Sequence, residues 1–266
     1  MDFDEGFEEI GFLSAGITNG IANLRAEDAD WFKIAEDINA ALMRTVKAAA
    51  AAVHTTSMTP EAVAVRLLLR SCGTLQGVIL VTERGMVAEG RMLARSLVEN
   101  ALCVAALHDD PDTFLKMLKQ DSEASRHLQR KFIIAQNLID ADAKRDKLQA
   151  AIDNIGKSKL MSPKKVAELG PMVNLYLAYQ RLSDDAAHLS AKSLDRHVQT
   201  NAARSGWNYK WCTSDQGENA TTLHYTILAS LAIGIGITQM LKDMNSNAEF
   251  SDIANRFGAM PPVTVM

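Results

Sequence analysis

The chain is poor in the features that would name a chemistry. Three cysteines occur in 266 residues, Cys72, Cys103 and Cys212, far apart and with no CxxC spacing. An odd, scattered set argues against a disulfide framework or a structural zinc site and suits free thiols in a reducing compartment. No GxSxG, HExxH, P-loop or GxGxxG stretch is present, so the mechanisms those motifs carry have no support. Charge of neither sign dominates: 28 basic residues against 32 acidic leave a net −4, with no global attraction to phosphate backbones or anionic lipid. The N-terminus, MDFDEGFEEIGF, is acidic where a secretory signal would be basic. The one long apolar run, residues 226–241, is about a turn too short for a bilayer and contains Ser230, Thr238 and Gln239. A buried core helix is the expectation there, with Gly234 and Gly236 as a close-packing surface, and the chain reads as cytoplasmic with no membrane partner.

Prolines are few, and their placement is informative. All six lie outside the long helical patterns, and Thr59-Pro60, Asp110-Pro111 and Ser162-Pro163 each set a capping side chain directly before proline. That order fits a helix start, because the side-chain oxygen takes an orphan N–H and proline has none to lose. Leu169-Gly170-Pro171 reads as a glycine terminator followed by a new start. No run alternates in the manner of a half-buried strand. Helices are expected near 28–54, 60–83, 85–108, 111–139, 142–156, 163–169, 171–188, 191–199, 217–244 and 248–257, with Gly85 at one join. The fold class is all-α, a bundle-like single domain of about eight to ten helices over 28–257. An acidic, loosely held segment precedes it at 1–27, and a tail follows at 258–266. Residues 200–216 form the longest irregular stretch; its GWNYKWC is expected to fold onto the core as a hydrophobic lid, with base stacking or a partner peptide as the other readings.

Two segments concentrate polar chemistry. The helix at 85–108 sets Met86, Leu93, Leu97 and Val104 on one face, and Arg84, Arg91, Arg95, Glu99 and Leu102 on the other. Burial on both sides would oblige Arg95 and Glu99 to find partners, each other included. In the second segment Asp184 stands one turn before His188, where it can hold the imidazole in one tautomer. Ser190 falls where a cap is needed for a short helix carrying Ser193, Arg196 and His197.

The stretch LSDDAAHLSAKSLDRHV, taken with ARSLVEN at 94–100, resembles a widespread bacterial family of all-helical proteins of unknown function. Its Arg-x-x-x-Glu falls on Arg95 and Glu99. Its Leu-Ser…Ala-His-Pro-Ser…Leu-x-x-His block falls on Leu182, Ser183, Ala187, His188, Ser190, Leu194 and His197, with Leu189 in place of the proline. The resemblance covers roughly residues 60–240 and implies the fold and a shared polar site, without an activity. Arg181 and His188 also match the loose Arg-x(4–6)-His spacing of helical ribonuclease domains of prokaryotic defence and toxin systems. That second resemblance implies metal-independent RNA cleavage, with the histidine as base and the arginine on phosphate.

Three functional readings follow. The first is a binding or regulatory module, free of any cofactor, in which Arg95, Glu99, His188, Ser190 and His197 form a buried polar network; its partner is a protein, a second copy of the chain included, and its setting a bacterial stress or defence locus. The second is a ribonuclease using His188 and Arg181, the only reading in which RNA is a partner. The third is a hydrolase with a metal held by Glu99, His188 and His197. The first is preferred, because no complete catalytic set is present.

Overall fold

The computed structural model describes residues 5–139, 142–153, 159–200, 206–211 and 217–263. Among them the chain is all-α, with one two-stranded sheet. Twelve helices follow in order: α1 (Glu5–Ile10), α2 (Ala15–Glu27), α3 (Ala29–Ala52), α4 (Pro60–Thr82), α5 (Val87–Asp109), α6 (Pro111–Ala135), α7 (Asp142–Asp153), α8 (Pro163–Ala167), α9 (Leu175–Leu182), α10 (Ala191–Asp195), α11 (Glu218–Met240) and α12 (Met244–Gly258). A π-helical turn, Ser183–Ala187, continues α9, and strands β1 (Val198–Thr200) and β2 (Trp207–Tyr209) lie between α10 and α11.

The helix starts obey their punctuation. Thr59 accepts from the Ala62 N–H at 3.3 Å and Asp110 from the Thr113 N–H at 3.1 Å, each with proline at the first helical position. Ser162 precedes Pro163 in the same way, but its side chain makes no cap bond. The join between α4 and α5 turns at Gly85, whose φ of 78° is open to glycine at no steric cost.

The centre of the fold is α11, which packs against α3, α4, α5 and α12. Leu223, Ile227, Ala229, Ile233 and Ile237 are fully buried, so its apolar character on every side is matched by cover on every side. Helices α4 and α11 are both long and apolar enough to cross a membrane by length and composition. The two glycines of α11 serve close approach. A Cβ at Gly234 would sit 2.5 Å from the Phe250 ring of α12, and one at Gly236 would sit 2.8 Å from Val104 of α5.

Three stretches differ from expectation. The described part of the acidic N-terminal segment is helical and docked: Phe7, Ile17 and Leu24 are buried, and Arg25 of α2 pairs with Glu36 of α3 and with Glu83 at 2.9 Å. Few apolar anchors and two bridging arginines, Arg25 and Arg84, hold it, which composition alone conceals. Helix α9 begins four residues later than expected, because 168–174 forms turns after Gly170, whose Cα packs on the Ala105 backbone with no room for a side chain. The third is the aromatic segment. β1 and β2 pair antiparallel, Val198 opposite Tyr209 and Thr200 opposite Trp207, and the described aromatics form no lid. Trp207, Tyr209 and Trp211 are 57%, 75% and 73% exposed. Residues 207 and 209 share a sheet face by the two-residue period, and their rings meet edge to face at 5.1 Å. Cys212 lies outside the described residues.

Candidate functional site: a buried ionic network

The polar centre forms where α5 meets the segment running from the π-helical turn to α10 and the first turn of α11. Arg91 of α5 is 2% exposed. One of its terminal nitrogens donates to Asp185 Oδ2 at 2.5 Å, and the other lies 3.2 Å from Glu218 Oε1. Its Nε donates to Thr222 Oγ1 at 3.3 Å. Arg196, just past α10, places one nitrogen 2.8 Å from the same Asp185 oxygen and 2.8 Å from the same Glu218 oxygen. Two guanidiniums and two carboxylates thus form a charge-balanced quartet, with Lys192 Nζ at its rim, 3.9 Å from Asp185 Oδ1. Such balance is what permits burial, since an uncompensated ion at this depth costs several kcal/mol. Burial pushes the Asp185 carboxyl up to about 6, opposed by Lys192 and reinforced by Glu218, so it is ionised at neutral pH.

The π-helical turn is what turns Asp185 inward. The His188 N–H reaches back to Ser183 O at 3.0 Å, closing a wider turn than an α-helix makes. Ser183 and Asp185 are buried there while Asp184 is exposed. One turn along α5, Arg95 donates from Nε to Ser183 Oγ at 2.8 Å and from its terminus to the Tyr179 hydroxyl at 2.5 Å. Its guanidinium also stands 4.5 Å from the centre of the Tyr179 ring. Arg91 and Arg95 therefore both bind the 179–185 segment, one by charge and one by neutral acceptors.

The structure separates the residues singled out in the sequence. Arg95 pairs with Tyr179 and Ser183 rather than with Glu99. Glu99 is half-buried one turn further along α5, against Cys103, Met161 and Val166. Burial, with Glu99 adding and Arg70 opposing, pushes the Cys103 thiol up to about 12, and burial pushes Cys72 to about 11, so neither is a ready nucleophile. Ser190 caps α10 in a reciprocal box: it accepts from the Ser193 N–H at 3.0 Å, and its own N–H donates to Ser193 Oγ at 2.9 Å. Its hydroxyl donates to Asp184 O at 2.7 Å. His188 and His197 are exposed, and neither ring bonds another described residue; Asp184 does not hold His188. Arg181 lies on α9, at the edge of a separate cleft. Among the described residues no group of three or more His, Cys, Asp or Glu side chains is placed to hold a metal ion.

Sequence reasoning placed Arg91 and Arg196 on helices and missed their union with Asp185 and Glu218. The available signal was a helix apolar on both sides that nonetheless carries two arginines one turn apart.

These features define an all-helical protein built around a buried ionic centre. The chain belongs to the family of unknown function DUF5677, whose model matches residues 61–205. Arg91, Arg95, Asp185 and Arg196 fall inside the matched stretch, and Glu218 beyond it. No curated protein and no solved structure matches the chain.

Proposed function

We propose that this chain is a cytoplasmic, non-catalytic binding module that presents its aromatic hairpin to a protein partner. The observation that carries this reading is the exposure of Trp207, Tyr209 and Trp211 on one short hairpin. Large aromatics dominate the energetic centres of protein interfaces, and scattered exposure of single residues does not gather three of them. The network beneath supplies rigidity: Asp185, Arg196 and Glu218 tie both ends of the hairpin segment to Arg91 on α5. His188, which a ribonuclease reading would pair with Arg181, stands exposed without an orienting partner among the described residues, which leaves that reading resting on spacing.

The test compares wild type with Trp207→Ala/Tyr209→Ala/Trp211→Ala for capture of a partner from the source cell and for RNA cleavage with and without chelator. The expected result is a partner lost from the triple variant at unchanged melting temperature, with no RNA cleavage by either protein. Retention of the partner by the triple variant, or chelator-resistant cleavage abolished by His188→Ala, would overturn it.

A further inference from the structure

An open cleft of about 400 Å³ lies between α9 and the middle of α11, apart from the ionic network and the hairpin. That volume is in the range of small-molecule sites. Its walls are mostly apolar: Met172, Leu175 and Ala178 on one side and Leu228 on the other. Three polar residues interrupt them, Asn174, Arg181 and Tyr225, and the last two bear on binding. Arg181, half-buried at the end of α9, makes no hydrogen bond or ion pair with any described residue. Tyr225 is 5% exposed, and its phenol oxygen is buried with no hydrogen-bond partner among the described residues. A buried hydroxyl left unpaired is uncommon and costs free energy that a ligand acceptor recovers.

No carboxylate is among the lining residues, so no protein anion there competes for the guanidinium. A cation and a hydroxyl set in apolar walls complement an anion with an apolar body. Phosphate, strongly hydrated, would gain nothing from the walls, whereas a carboxylate on a short alkyl chain uses both parts. We propose that this cleft binds a small amphipathic carboxylate, its head on Arg181 with Tyr225 donating nearby, and its chain along Leu175, Ala178 and Leu228. The inference is independent of the hairpin reading.

The experiment is calorimetric titration of the full chain with octanoate, octanol and octylammonium at neutral pH. Saturable one-site binding of octanoate is expected, about tenfold or more tighter than octanol, since one charged hydrogen-bonded contact is worth that ratio. Octylammonium should not bind. Arg181→Gln should bring octanoate to the octanol level, and Arg181→Lys should retain part of the preference. Tyr225→Phe should weaken octanoate severalfold without lowering the melting temperature, because the hydroxyl has no partner among the described residues to lose. Equal binding of octanoate and octanol, no saturable binding, or octanoate affinity unchanged in Arg181→Gln would overturn the proposal. The octanoate-to-octanol ratio is read on the wild-type chain, so it decides the matter whatever the variants do to folding.

Discussion

Arg91 and Asp185 stand 94 positions apart in the chain and meet at 2.5 Å, in a setting where neither sees solvent. Replacing Arg91 with Met removes one of the two guanidiniums that Asp185 and Glu218 share in a low-dielectric site. The expected loss is about 3–5 kcal/mol of stability, the usual cost of breaking a buried pair from one side. Arg91→Lys should fall between, because an ammonium keeps the charge but not the fork that reaches both acids and Thr222. Urea unfolding measures both, and a loss under about 1 kcal/mol for Arg91→Met would mean that the quartet is dispensable.

The second prediction concerns α11 against α12. A methyl at Gly234 would press into the Phe250 ring, which is fully buried and cannot swing outward. Gly234→Ala should cost about 1–3 kcal/mol through overpacking, despite its better helix propensity. Combining it with Phe250→Leu should recover part of that loss. Thermal melts of the two single variants and the double variant give the coupling directly.

A third prediction is a pH dependence. His224 packs among Trp31, Tyr225 and Phe257, and burial holds its pKa below the ordinary 6.5. As pH falls through 6.5 the unfolded chain takes up a proton at this position before the folded chain does, so the fold loses stability on the acid side. His224→Phe removes that proton uptake. The stability of the variant relative to wild type should therefore rise as pH falls from about 7 to 5, the window set by the ordinary histidine value. A gap independent of pH would show that His224 titrates as it does in the unfolded chain.

His188 supplies a fourth, contrasting outcome. It is exposed and its ring holds nothing among the described residues. His188→Ala should shift stability by no more than about 0.5 kcal/mol, as surface changes away from special features do. A loss of several degrees in melting temperature would assign it a structural role that the geometry does not provide.

The parts of the fold legible in the sequence were those written locally. Thr59-Pro60 and Asp110-Pro111 start α4 and α6 through contacts three residues away, and Gly85 turns the join with its own φ. Gly234 and Gly236 were read as a packing surface, and Phe250 and Val104 are what pack on them. What escaped depends on partners distant in sequence. Arg25 docks α2 by reaching Glu83, and no local pattern announces that reach. The three-residue strands β1 and β2 are too short for alternation to register and exist through each other. Arg95 was expected beside Glu99 because spacing suggests it; the chain instead carries Tyr179 and Ser183 to it on α9 and its π-helical extension. Periodicity cannot foresee such a wider turn, which shifts every later side chain to a new face.

The quartet draws its charges from α5, from the 183–196 segment and from the start of α11, so it is complete only when all three have come together. Contacts of that reach form late, after the loops between them have closed. The network therefore bears on how long the native state survives once reached, more than on how quickly it is reached: it is a latch on the escape path, and loosening it quickens unfolding.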